Sequence, residues 1–217
     1  MPDNSSRPSN SLGLVNSADF DTAKNYDQNR FASRRMKKLD EFERQFARYV
    51  YTLVGDDAAV LDVPCGNGRF YDIFSQAKHV TMADYSENMV KACRERYAIG
   101  TNVDLIQADI TSLPLVDCSV DLSFCMRLFH HMKTDEIRLA AMKELARVSR
   151  KYVALSFYNS HCLRYFRKTL LGKKISGVYI PFMQLLKLAD AAGLECVSRR
   201  PQLNIVEQQC MVVFKKK

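Results

Sequence analysis

The residues best suited to chemistry lie where apolar runs end. Val60-Leu61-Asp62-Val63 leads into Pro64-Cys65-Gly66-Asn67-Gly68, a buried strand opening into a Gly-x-Gly turn. Backbone without side chains lets a ligand come close. In a parallel sheet such a turn lies at the carboxyl end of its strand, where ligands bind. Taken alone, the Gly pair is equally a tight turn. Asp84 adds to it by closing the next apolar run about 20 residues after Asp62, where a carboxylate accepts from both ribose hydroxyls. Asp109 follows a third run and can accept from an exocyclic amine. Met89, a turn into the next helical stretch, offers an apolar surface to a flat base. A dinucleotide fingerprint would require G-x-G-x-x-G/A. Counted from Gly66 its third position is Tyr71, which obstructs the close approach of helix and strand, so a nicotinamide ligand ranks well below a mononucleoside one.

A fourth apolar run ends in Arg127-Leu128-Phe129-His130-His131. Either histidine can take a proton from a phenol, a thiol or a ring carbon. The alternative is that one packs under the sheet edge and the other is solvated. Arg127 either grips an anionic acceptor or pairs with a neighbouring acid.

The elements that must position these residues follow from periodicity. Asp21 to Leu53 reads as helical, with Met36, Leu39, Phe42, Phe46, Val50 and Leu53 on one face and Gly55 as a stop. Strands are expected at Ala58–Val63, His79–Ala83, Val103–Ala108, Val120–Met126 and Tyr152–Phe157. Between them fall a short helix near Arg69–Gln76, one capped by Ser86 and running toward Gly100, and one capped by Thr134. A last helix opens at Pro181 and ends at Gly193, before strands at Leu194–Val197 and Gln209–Phe214. Such alternation favours an open, mostly parallel sheet with helices on both faces.

Composition narrows the class. The chain has 217 residues, 47% hydrophobic and 26% charged, which suits one globular domain. No run of about 18 apolar residues occurs, so no membrane span is expected. The polar N-terminus lacks the apolar core of a signal peptide and points to the cytoplasm. The seven cysteines form no CxxC pair and read as reduced, mostly buried thiols rather than disulfides or zinc ligands. A formal charge of +8 suits an anionic partner, and no acidic residue occurs between Glu144 and Asp190. Within that stretch, Leu163, Phe166 and Leu170 fall on one helical face beside basic residues. That pattern can lie on an anionic membrane or grip a phosphate-bearing substrate, although charge runs are more often solvated faces.

VLDVPCGNGRF, MADYSENMV, QADITSLPL and SVDLSFCMRLFHHM together resemble the motif series of class I S-adenosylmethionine-dependent methyltransferases, close to the ubiquinone/menaquinone-type branch, over roughly residues 58–157. The resemblance implies an α/β fold: a Rossmann-like, doubly wound, seven-stranded, mostly parallel sheet with its last strand antiparallel, plus N-terminal helices. It implies S-adenosylmethionine as cofactor; no metal is expected, because the sequence offers no cluster of convergent carboxylates to hold one. By motif, Asp62, Gly66 and Gly68 line the methionine end, Asp84 holds the ribose, and Asp109 with Ile110 meets the adenine. Pro64, Tyr85, Met89 and Arg127 complete the expected cofactor set. His130 is the favoured base, and Tyr26 is either a contact from an N-terminal lid or an anchor of its own helix. The chain departs from the family at Pro64, where glycine is usual. Proline fixes φ near roughly −65° and removes a donor, which stiffens the loop.

The expected organisation is a disordered polar tail over 1–18 and one methyltransferase domain over 19–217. That domain comprises a helical lid (19–57), a cofactor core (58–157), an acceptor-covering segment (158–192) and the final strands (193–217). The expected reaction is in-line methyl transfer to a small molecule that is aromatic, lipid-like or anionic. RNA methylation and cofactor binding without transfer are the alternatives, with nucleic acid the less favoured partner. The (D/N/S)PPY motif of base amino-methylation is missing, its place being taken by Ser123-Phe124-Cys125-Met126.

Overall fold

The computed structural model describes residues 19–201 and 208–217; the tail expected over 1–18 lies outside them. The chain alternates as the periodicity requires. Three helices, α1 (Phe20–Lys24), α2 (Tyr26–Arg30) and α3 (Arg34–Thr52), precede β1 (Ala59–Asp62), α4 (Tyr71–Phe74), β2 (His79–Asp84) and α5 (Glu87–Arg96). Then come β3 (Val103–Gln107), β4 (Val120–Cys125), a 3-10 turn at Phe129–His131, α6 (Asp135–Val148) and β5 (Ser149–Asn159). The chain finishes with α7 (Leu163–Leu170), β6 (Tyr179–Ile180), α8 (Phe182–Ala191), β7 (Leu194–Pro201) and β8 (Gln209–Lys216).

The sheet runs β3-β2-β1-β4-β5-β8-β7, and β8 is antiparallel to both of its neighbours. This is the seven-stranded path implied by the resemblance, with one addition: β6, two residues long, pairs with the end of β5. The central strands are buried on both faces, which is why they read as continuous apolar runs. Period two then sorts their side chains. Val60, Leu122 and Phe124 pack on one face with Phe46 and Val50 of α3, Phe74 of α4 and Cys93 of α5. Leu61, Cys125 and Leu155 pack on the other with Met142 and Leu145 of α6 and Leu185 of α8.

The helical run expected from Asp21 to Leu53 is broken twice. Asn25 and Phe31 leave helical geometry, and Ser33 restarts the helix by accepting from the Met36 N–H at 3.3 Å. Two further boundaries differ. Thr134 holds the N-cap position of α6 without a side-chain cap bond, and α5 stops at Arg96 because Tyr97 turns extended.

Candidate functional site

The carboxyl ends of β1, β2, β3 and β4 open into a cavity of about 460 Å³, a size ordinary for a small-molecule site. Its floor is the turn after β1. The Val63 N–H donates to Phe124 O at 2.9 Å and the Cys65 N–H to Ala83 O at 2.8 Å, so the turn is tied to both neighbouring strands. Gly66, at φ +57°, donates its N–H to Asp84 Oδ2 at 2.9 Å. A Cβ there would meet nothing within 4 Å, which leaves bare backbone toward the cavity.

Gly68 was expected beside the ligand too, but it has a different task. At φ +88° it is off the cavity wall, and a Cβ would lie 2.6 Å from Cys93 Sγ and 2.8 Å from the Tyr97 ring. Its smallness lets α5 pack on the turn. The two glycines thus differ: Gly66 leaves bare backbone on the cavity wall, and Gly68 makes room for α5.

Asp84 is buried yet on the wall. Its Oδ1 accepts from the Ser86 N–H at 2.8 Å and its Oδ2 from Gly66, leaving each oxygen a lone pair for a hydroxyl. Burial raises its pKa, and the backbone donors of Ser86, Gly66 and Tyr85 oppose that rise. Pro64, Tyr85, Met89, Ile110, Arg127 and Tyr26 also line the cavity. Asp62 does not; it is fully buried, neither carboxylate oxygen has a partner, and burial holds its pKa well above the usual range. Asp109 is likewise off the wall, because its Oδ1 folds back to accept from the N–H and Oγ1 of Thr111, both at 2.8 Å. Ala108 and Ile110 take the inward positions on either side of it.

Of the two histidines, His131 rather than His130 reaches the cavity. In a 3-10 turn successive side chains diverge by about 120°, so adjacent residues cannot both face one way. His130 stacks on Tyr158 with ring centroids 4.0 Å apart, and burial pushes its pKa down to about 2. His131 is half-buried, and its pKa is lowered by burial and then by the charges of Arg30 and Arg127. Arg30 donates to the Tyr26 hydroxyl at 2.9 Å, and both Arg30 and Arg127 keep a buried Nε without a hydrogen-bond partner.

Arg127 does pair with an acid, Glu43 Oε1 at 3.0 Å, and it also faces the cavity. Its backbone is left-handed, φ +62°, with the N–H donating to Ser156 Oγ. Glu43 was not singled out from sequence, yet it organises this end of the molecule. It is fully buried on α3 and also holds Arg69 at 2.5 Å and the Gln209 amide. A signal did exist: Glu43 stands four residues after Leu39 and three before Phe46, on the apolar face. Burial would raise its pKa, but Arg69 and Arg127 outweigh that and keep it low.

Thr22, Tyr26, Asp27, Arg30 and Phe31 supply the wall opposite the sheet. Asn67 of the glycine turn fastens this wall, its Nδ2 donating to Ala23 O at 3.3 Å and Lys24 O at 3.4 Å. Arg96 adds a 2.7 Å pair with Asp27. The segment 158–192, expected to cover the acceptor, contributes none of the wall residues among the described ones, and α1 and α2 stand there instead. Among the described residues no group of His, Cys, Asp and Glu could hold a metal ion.

Comparison with known proteins bears on this geometry. A family model described as a methyltransferase domain matches residues 60–151. The chain is 34% identical over 92 residues to tRNA (carboxymethyluridine(34)-5-O)-methyltransferase alkbh8 of Xenopus tropicalis, covering 42% of this chain and 14% of that protein. It is 25% identical over 169 residues to an uncharacterized chloroplastic methyltransferase, At1g78140, of Arabidopsis thaliana, covering 71% of this chain and 47% of that one. The chain therefore spans less than half the length of these curated relatives. Among solved structures, magnesium protoporphyrin IX methyltransferase from Synechocystis PCC 6803 with bound SAH superposes with TM-score 0.72 at 17% identity, over 91% of this chain and 97% of that one. A SAM-dependent methyltransferase from Aquifex aeolicus gives 0.65 at 18%, over 92% and 99%. At such identities the likeness is one of fold. Over residues 60–151 the chain carries a methyltransferase domain, set in the fold of these S-adenosylmethionine-dependent enzymes.

Proposed function

We propose that this domain transfers the methyl group of S-adenosylmethionine to an anionic small-molecule acceptor. The carrying observation is that one cavity joins Asp84 and the bare Gly66 backbone to Tyr26, Arg30, Arg127 and His131. The residues suit the donor. Asp84 retains acceptor capacity for ribose hydroxyls, and Met89 and Ile110 offer apolar flanks to a base. When bound, the donor supplies a methyl group on a positively charged sulfur.

The chain's own work is alignment and exclusion of water. Phe31 and Leu128 give the cavity apolar cover, while Arg30 and Arg127 offer guanidiniums suited to a carboxylate or phosphate. An acceptor that arrives ionised needs no base. For a protonated acceptor, the base role expected of His130 falls to His131, which is neutral at pH 7 because burial and the two arginines lower its pKa.

Calorimetric titration with S-adenosylhomocysteine, with NAD in parallel, tests the donor half. Saturable binding of the first alone is expected, and a folded sample that binds neither overturns the reading. Labelled methyl transfer to a panel of carboxylic acids, phenols and amines tests the acceptor half. Arg30→Met should raise KM for anionic acceptors with S-adenosylhomocysteine affinity unchanged. A preference for neutral amines would reject the anionic acceptor.

RNA methylation is a second reading, favoured by the similarity to a tRNA methyltransferase. A carboxymethyl group on a base would also present a carboxylate to the two arginines. RNA affinity that falls steeply with salt, together with turnover on RNA, would favour it. Turnover with any acceptor separates both readings from a protein that only binds the cofactor.

A further inference from the structure

We propose that α7 and the turn after it dock on an anionic lipid surface. The inference does not depend on the methyl-transfer reading. α7 has no buried residue, although three of its eight are large and apolar. Leu163 is 47% exposed, Phe166 63%, Leu170 72% and, just beyond, Leu171 56%. Residues 163, 166 and 170 recur at three and four, so they form one stripe facing water. Among the described residues none buries that stripe, and a clustered apolar exposure of this kind marks an interaction surface.

Charge identifies the partner. Arg167 borders the stripe, Lys173 and Lys174 follow in the turn just beyond it, and no acidic residue occurs between Glu144 and Asp190. A helix with an apolar face bordered by cations sits in the headgroup plane of an anionic bilayer, its apolar side toward the acyl chains. RNA would satisfy the cations but leave the aliphatic stripe in water. A helix this short is marginal alone, but this one is held in advance. Cys162 is buried at its N-cap, and Tyr165 packs on Tyr179 at 4.7 Å. Tyr179 in turn meets Tyr158 at 5.3 Å, and Tyr158 stacks on His130. The docking surface is thus joined through rings to the residue beside His131, at the acceptor end of the cavity.

Co-sedimentation of the full chain with phosphatidylcholine vesicles, with and without phosphatidylglycerol, tests the proposal. Binding is expected only when phosphatidylglycerol is present, and it should weaken as salt rises. Each cation near such a surface is worth about fivefold in partitioning, so Lys173→Gln/Lys174→Gln should lower binding about 25-fold. Phe166→Asp/Leu170→Asp should abolish it. Both variants should melt as the parent does, because the substituted side chains are exposed. Failure of the parent to bind phosphatidylglycerol vesicles overturns the proposal. So does undiminished binding by Phe166→Asp/Leu170→Asp, which would assign the attraction to net charge alone. Polyuridylate that binds the parent and displaces it from vesicles, with Phe166→Asp/Leu170→Asp binding it equally well, would assign the basic face to RNA and also overturn it.

Discussion

Replacing Glu43 with glutamine removes the negative charge that Arg69 and Arg127 share. The three side chains are 0%, 10% and 12% exposed, so water cannot take over the lost pairing. Breaking a buried pair by removing one partner costs about 3–5 kcal/mol. Asp40 stays 3.4 Å from Arg69 and keeps that guanidinium partly compensated, so the lower figure applies, about 3 kcal/mol. For a domain of this size each kcal/mol moves Tm by roughly 2–4 °C, giving a fall of about 6–12 °C. Scanning calorimetry at pH 7 reads it directly. Glu95→Gln serves as the control, because its pair with Lys24 is 54% and 58% exposed and is worth at most about 1 kcal/mol. The pH dependence carries a sign. Glu43's folded pKa is depressed below its ordinary 4.5, so its contribution is complete above that value and is lost as pH falls through the folded one. The gap between parent and Glu43→Gln should therefore be level near neutrality and close in acid. A Tm shift no larger than the control's, or a gap that persists undiminished in strong acid, would refute the reasoning.

The two glycines of the turn should separate affinity from stability. Gly66→Ala meets no neighbour, so it should cost only the left-handed strain, about 1–2 kcal/mol, and act mainly on S-adenosylhomocysteine affinity. Gly68→Ala adds a collision with Cys93 and Tyr97 and should lose roughly 1–3 kcal/mol more; equal melting of the two variants would contradict that division. Asp84→Asn should weaken S-adenosylhomocysteine binding about 10- to 100-fold in a titration while leaving the fold intact, and an unchanged affinity would remove the ribose role. His130 stays neutral when folded down to about pH 2, whereas the unfolded chain takes up its proton near 6.5. Stability should accordingly fall as pH drops below 6.5, by about 1.4 kcal/mol per unit from this group. His130→Asn should flatten that slope in urea titrations at several pH values, and an unaltered slope would show that His130 is not its source.

The sheet was legible because its central strands are buried on both faces: β1, β2 and β4 fall within a residue or two of their apolar runs. β6 was not, since two residues carry no period. The breaks of the first helix at Asn25 and Phe31 were hidden because the apolar face that marks the helix begins only at Met36, and no Pro or Gly punctuates the stretch before it. In the site, motif and spacing found the turn and Asp84, whose geometry is local to strand ends. They did not separate Gly66 from Gly68, because the difference lies in what α5 brings near. Nor could they choose between His130 and His131, which depends on how a 3-10 turn happens to be oriented. Glu43 meets Arg127 across 84 positions of sequence. Such a pair exists only once α3 has docked, and pattern within either segment is silent about the other.

The wall formed by α1 and α2 sets a limit on speed. Ala23 is the only buried residue of α1, and α2 has none. Asn67, the Asp27–Arg96 pair and the packing of Phe20 and Ala23 on Met89 and Ala92 of α5 fasten it. Such a segment detaches locally at far lower cost than the sheet unfolds. On the proposed function, spent cofactor leaves by release of a dozen residues while the strands beneath stay intact, and its residence time becomes a property of the Asn67 clasp rather than of the sheet.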